Sequence, residues 1–296
     1  MKLKGLNLFI AFFFLCSFSS RASFVLLPME AEGQQNHLKA YGITYWALDK
    51  SYKVSWLLNY RGGSFLLPDA PEIRKECQIR GVTFEVLSDA ATNSILEDIS
   101  SPSQNMETVV LEKAPKIAVY TPKGKQPWDD AVTMVLTYAE IPYTEIYDEE
   151  VLSDQLLLYD WLHLHHEDFT GQYGKFFGNY RNTPWYIQQK AEAEALAKKL
   201  GYNKVSEEKL AVAKKVRDFV IGGGFMFAMC SATDSFDIAL SAEGVDICEP
   251  MFDGDDSEAN YQSRIDYTST FAFKDYTLVR NPMVYEFSDI DTTEEH

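Results

Sequence analysis

The run Gly222-Gly223-Gly224-Phe225-Met226-Phe227-Ala228-Met229-Cys230-Ser231-Ala232 constrains this chain more than any other segment. Its glycines end whatever helix precedes them, and the apolar residues Phe225 to Met229 have the length and bulk of a fully buried parallel strand. Thr233 and Asp234 then cap a helix that runs through Phe236, Ile238, Ala239 and Leu240. Cys230 is therefore expected at a strand-to-helix turn. In open α/β sheets ligands bind at the carboxyl ends of the strands, where helix-terminal N–H groups favour a thiolate. The sequence makes Cys230 a candidate nucleophile, with a buried structural cysteine as the alternative.

The alternation of strands and helices elsewhere predicts an α/β protein. Before residue 100 the expected elements are strands at 24–29, 54–59, 65–67 and 82–87 and helices at 37–48, 71–79 and around Ile95, which together imply a parallel or mixed sheet. In the first of these helices Leu38, Tyr41, Tyr45 and Leu48 form the expected apolar face. A polar connection from Ser101 to about Pro115 marks a domain boundary, giving a leader at 1–22, an N-terminal α/β module at 23–112 and a second domain at 113–296. The second domain carries strands at 116–120, 143–147, 159–165 and 225–229 with helical crossovers, the pattern of a doubly wound, mostly parallel sheet. Aromatic segments near 271–279 and 284–287 add candidate β-pairing, and the chain ends in an acidic tail.

Lys2 and Lys4 precede an apolar stretch from Leu6 to Phe18, and Ser20-Arg21-Ala22 offers small residues where a signal peptidase reads them. The expectation is an exported, periplasmic or extracellular protein, with lipidation at Cys16 as a minor alternative. No later segment approaches the ~20 apolar residues a membrane span needs, so no transmembrane segment is expected. The formal net charge of −17 argues against nucleic acid as a partner, because such binding requires clustered Lys and Arg. With Cys16 in the leader, Cys77, Cys230 and Cys248 remain, and a Cys230–Cys248 disulfide would remove the nucleophile.

A second constellation, His163-Leu164-His165-His166-Glu167-Asp168, holds three of the five histidines. Period-two geometry puts Trp161, His163 and His165 on one strand face. No cofactor is required, but His163, His165 and Glu167 form an alternative Zn site of metallohydrolase type. Lys123 and Lys125, in a turn after the 116–120 strand, suit an anionic substrate group, and Trp128 and Trp161 suit stacking on a glycan or peptide. Ser231-Ala232-Thr233-Asp234-Ser235 echoes the S-G-G-x-D-S loop of ATP pyrophosphatases without its glycines, which leaves Ser231 and Asp234 as candidate substrate contacts. Asp253 to Glu258 lacks the glycine and the bidentate Glu of a calcium loop and reads as a solvated acidic loop.

The segments G-G-G-F-M-F-A-M-C-S-A-T-D-S-F-D-I-A-L, P-K-G-K-Q-P-W-D-D-A-V and W-L-H-L-H-H-E-D-F-T-G-Q-Y-G-K-F closely resemble a family of exported Bacteroidota proteins known as asparagine synthetase B, from about Leu38 onward. The resemblance implies a class I glutamine-amidotransferase-like domain of flavodoxin type with Cys230 as its elbow cysteine. It does not imply amide synthesis: glutamine-dependent asparagine synthetases begin with a catalytic cysteine and carry an intact S-G-G-x-D-S loop, and this chain has neither. Ala228 and Ala232 replace the two glycines of the superfamily's G-x-C-x-G elbow. The triad histidine expected downstream of the cysteine is matched only by His296, so the resemblance raises the expectation of a C-terminally truncated domain. Within the chain, His165 or His166 is then the base and Glu167 its orienter, for a hydrolase acting on an amide, ester or glycan-derived substrate. A non-catalytic carbohydrate- or peptide-binding module is the rival.

Overall fold

The computed structural model describes residues 22–122 and 131–290. Residues 1–21 of the expected leader and the turn with Lys123, Lys125 and Trp128 lie outside the described residues. The chain divides into two compact units between Lys113 and Ala114.

The first unit runs β1 (Ala22–Leu27), α1 (His37–Asp49), β2 (Val54–Leu58), β3 (Phe65–Pro68), α2 (Pro71–Arg80), β4 (Glu85–Ser88), α3 (Asp89–Ile99) and β5 (Glu107–Leu111). Its sheet has the order β4-β1-β3-β2-β5, and every neighbouring pair is antiparallel, not parallel or mixed as the sequence suggested. The cause is the turn at 59–63, where Asn59, Arg61, Gly62 and Gly63 all take positive φ and fold β2 straight back onto β3. That hairpin inserts β3 between β1 and β2, splitting a βαβ unit with an antiparallel strand. Gly62 is needed there, because a Cβ would come within 2.4 Å of the Met29 carbonyl oxygen. The expected polar connection contains β5, whose Thr108, Val109 and Val110 suit an edge strand beside β2. In α1 the buried residues are Ala40, Ile43, Thr44, Ala47 and Leu48, while Leu38 and Tyr41 face outward, a rotation of the expected stripe.

The second unit runs β6 (Ile117–Tyr120), α4 (Ala131–Ala139), β7 (Thr144–Ile146), α5 (Asp148–Leu152), β8 (Trp161–Leu164), α6 (Phe177–Tyr180), α7 (Pro184–Lys199), α8 (Val205–Ile221), β9 (Phe225–Ala228), α9 (Ser231–Ser241) and α10 (Pro250–Asp253). Its four strands pair in the order β7-β6-β8-β9, all parallel, as the crossover helices demand. Register sets Val119 beside His163 and His163 beside Phe227. One sheet face presents Ala118, Tyr120, Leu162 and Leu164 to Val212, Val216 and Phe219 of α8 and to Ala232, Phe236 and Leu240 of α9. The other face carries Ile117, Val119, Trp161, His163, Phe225 and Phe227. Among the described residues β9 is the last strand of this sheet, and Phe225 and Phe227 are 57% and 45% exposed, so there it is an edge strand and not the fully buried one its composition implied. Bulk alone cannot tell the two apart.

After α9 the chain wraps back over it. The buried Asp237 carboxylate accepts the backbone N–H groups of Phe271, Ala272 and Phe273 at 2.8–2.9 Å, and Ile265, Tyr276, Leu278 and Phe287 pack onto Ile238 and Ala242. Among the described residues the expected β-pairing in this region reduces to a single bridge between Leu278 and Ser288.

At the carboxyl ends of β6 and β7 lies a buried ion pair. Lys209 of α8 donates to both oxygens of Asp148 at 2.8 and 2.7 Å and to the hydroxyls of Tyr120 and Tyr147 at 3.1 Å. Burial works against the ammonium, but the Asp148 charge outweighs it and holds the lysine pKa above its ordinary value. Substituting Lys209→Met should lower unfolding free energy by about 3–5 kcal/mol in urea titrations, because an unpaired carboxylate remains in the core. A second substitution, Asp148→Asn, should recover part of that loss.

Candidate active site

Met229 extends the β8–β9 ladder by donating its N–H to the Leu164 carbonyl at 3.0 Å, and α9 starts at Ser231. Cys230 makes the whole turn between them, with φ 52° and ψ −141°. Positive φ in a residue with a Cβ costs about 1–3 kcal/mol and persists only where the surroundings enforce it. Here the Cys230 carbonyl accepts both the N–H and the hydroxyl of Thr233, at 3.0 and 2.7 Å. The Ala232 N–H bonds back to Met229 at 3.2 Å and across to His165 at 3.3 Å. The methyls of Ala228 and Ala232, which replace the glycines of the resembled elbow, are absorbed by the core beneath. The thiol itself is exposed, while Ser231 begins the helix with its N–H bonded to no acceptor among the described residues.

The turn after β8 is stitched to this elbow. Besides the His165 carbonyl, that of His166 accepts from Ser231 Oγ at 2.8 Å and that of Glu167 from Ser235 Oγ at 3.0 Å. Cys230 and the His165-His166-Glu167 turn, singled out separately in the sequence, thus share one strand-end platform. The two imidazoles lie ring to ring, 3.6 Å between centroids. Burial, then the neighbouring His166 and His163, lower the His165 pKa to about 4, and its buried Nδ1 has no hydrogen-bond partner among the described residues. Glu167 is buried and its Oε2 accepts the backbone N–H of His165 at 3.0 Å, bracing the turn. No hydrogen bond joins the Cys230 sulfur to either imidazole among the described residues.

The other expected site residues are dispersed. Ser231 spends its hydroxyl on the His166 carbonyl, and Asp234 is only 4% exposed, with Ser288 Oγ at 3.5 Å, so it faces the interior and not a substrate. Trp161 opens β8, at the opposite end of the strand from Cys230, with its ring edge-on to Phe225. The donor atoms of His163, His165 and Glu167 do not gather within ligating distance; His163 is buried and stacks on Phe227. Among the described residues that distance is met by Asp246, Cys248 and Asp253. The Lys204 ammonium already stands there, 2.6 Å from Asp246, 2.9 Å from Asp253 and 2.6 Å from Asp255. The 253–258 segment is exposed at Gly254, Asp255 and Asp256, as expected of a solvated loop, while the Asp253 side chain is buried against Lys204. All three described cysteines are free, so the Cys230–Cys248 disulfide is not formed.

Sequence reasoning missed the roles of Thr233 and Ser235. Their signal was present as hydroxyls near the helix start, Thr233 read there only as a cap and Ser235 only as part of the S-x-x-D-S echo. No family model, curated protein or solved structure matches the chain.

Two outcomes follow from this geometry. Iodoacetamide should alkylate Cys230 well before Cys77 and Cys248, both fully buried, with burial pushing Cys77 up to about 12 and Cys248 well above its ordinary value; peptide mapping of the native protein reads the order. His165 is harder to protonate folded than unfolded, so stability should be full above about pH 6.5 and fall as the pH drops toward about 4. Melting curves across that window should flatten in His165→Gln; an equally steep curve in the variant would assign the slope elsewhere.

Proposed function

We propose that the protein is a cysteine-dependent hydrolase of the glutamine-amidotransferase-like kind, acting on an amide or ester, including amides of glycan-derived substrates. The observation that carries this reading is the positive φ of Cys230 between β9 and α9. A strained non-glycine residue on a strand-to-helix turn is the geometry by which α/β hydrolytic enzymes expose a nucleophile at the top of a sheet. The strand order supports the same reading. Taken in chain order the second unit's strands run 2-1-3-4, as in a flavodoxin-like sheet, whose ligand crevice opens between the first and third strands. Here that point lies between the ends of β6 and β8, beside His165 and His166.

In this reading an imidazole takes the Cys230 thiol proton as the sulfur attacks the substrate carbonyl, forming a C–S bond while the C=O π electrons move onto oxygen. The Ser231 N–H and the α9 N-terminus receive that oxyanion. Collapse expels the amine or alcohol, protonated by an imidazole, and water then cleaves the thioester to return the thiol. His166 suits the proton transfers better than His165, because burial and two neighbouring imidazoles make His165 a poor proton acceptor. Glu167 acts through the backbone, fixing the turn that carries His166.

Hydrolysis of p-nitrophenyl acetate and of glutamine p-nitroanilide tests the assignment. Cys230→Ala should abolish turnover and the acyl adduct seen by mass spectrometry. His166→Gln should lower kcat by roughly 10²–10⁴, and His165→Gln by less than tenfold. Undiminished turnover in Cys230→Ala would end the proposal.

A further inference from the structure

The strand that delivers Cys230 is itself half unpaired. In a parallel ladder, alternate residues of a strand serve one neighbour with both N–H and C=O. Phe225 N–H bonds to Asp160 at 2.9 Å and Met229 N–H to Leu164 at 3.0 Å, so the odd-numbered residues of β9 serve β8. Met226 and Ala228 consequently turn their main-chain donors and acceptors to the outer edge, where no other strand pairs with them among the described residues. Such groups must find water or a partner.

Natural edge strands are blunted by shortness, by lysine or other charge, by proline, by a bulge or by a covering helix or loop, and β9, four residues long, is blunted by its shortness alone among its own residues. Its residues are Phe, Met, Phe and Ala, with no lysine, no proline and no charge to turn away an added strand. On one side of the edge Phe225 and Phe227 stand exposed, backed by a row of rings. Trp161 lies 5.8 Å from Phe225 and His163 stacks on Phe227 at 5.4 Å between centroids. The feature is a main-chain docking rail flanked by aromatic surface, and it ends at the nucleophile.

We infer that the substrate is an extended polypeptide, which adds to the outer edge of β9 as a further strand, places apolar side chains at alternate positions against Phe225 and Phe227, and lays a carbonyl at Cys230. This rests on the hydrolase reading and names its substrate class. Main-chain hydrogen bonds to Met226 and Ala228 supply affinity with little sequence demand, and the two phenylalanines supply the preference for apolar residues spaced two apart. The strand register carries the chain toward the exposed thiol, because Cys230 makes the turn that begins two residues beyond Ala228, where β9 ends.

The probe is the peptide acetyl-Val-Thr-Val-Thr-Val-Thr-amide, together with two isomers N-methylated either on all three Val or on all three Thr. Amide hydrogen exchange of the full chain is followed in wild type and in Cys230→Ser. The unmodified peptide at millimolar concentration should slow exchange at Met226 and Ala228 at least tenfold. One N-methyl isomer should retain binding, and the other should lose it by at least tenfold, since only one edge of the added strand faces β9. Absence of protection across residues 225–229, or equal binding of the two isomers, overturns the inference. So does a dimeric mass with these amides already protected in the peptide-free protein, which would make a second copy the occupant. Iodoacetamide labelling of wild type reads the nucleophile separately. Rapid labelling of Cys230 without peptide protection sinks the peptide assignment and leaves the hydrolase reading standing. Protection with a Cys230 that resists labelling sinks the hydrolase reading, and the substrate role with it.

Discussion

Three carbonyls just beyond β8, those of His165, His166 and Glu167, are held by donors from the first five residues of α9. The arrangement at the sheet end depends on these bonds. They prevent the β8 turn from drifting away from the elbow, and one of them gives the Ala232 N–H an acceptor outside the helix at the helix start. With Thr233 closing on the Cys230 carbonyl from the other side, the strained backbone of the cysteine is fixed from both directions. The exposed thiol is thus carried on a rigid support while its own side chain stays unencumbered.

The platform is rigid because it stands on a dry core. Leu162 and Leu164 on β8 and Phe236 and Leu240 on α9 are buried on the same side of the sheet, so the two chain segments that meet at the elbow are also packed beneath it. Next to that core, the Lys209–Asp148 pair closes the neighbouring strand ends, with Tyr147 and Tyr120 rings covering the ammonium. A charge so placed contributes little net stability when whole and costs much when broken, which favours a single arrangement of the strand ends.

Much of this was legible in the sequence, and the failures are instructive. Glycines, an apolar run and a following amphipathic stretch located the elbow without ambiguity, because strand length and helix periodicity are local properties. The pairing of strands is not local. In the first unit the residues of β2 and β3 announce two strands, yet only the positive φ at Arg61 and its neighbours dictates that they fold into a hairpin and make the sheet antiparallel. In the second unit Phe225 and Phe227 read as core because bulk correlates with burial; whether a strand is central or peripheral is decided by its partners. Asp234 looked available for a ligand because the S-x-x-D-S spacing echoes a pyrophosphate-binding loop, whereas here the returning C-terminal segment covers it. The chemistry of the histidine turn was readable as residue types, but the division of labour between His165 and His166 depends on burial that no spacing encodes.

The Lys204 ammonium among Asp246, Asp253 and Asp255 has a consequence of its own. Loops rich in aspartate commonly recruit an ion from solution, and their order then rises and falls with its concentration. This loop carries its counter-ion on a tether. Because the ammonium is anchored to the residue preceding α8, its arrival forfeits no translational freedom, and the folding of the helix and the closing of the loop become one event. The segment from Cys248 to Asp255 is in this way made independent of whatever dissolved cations surround the protein.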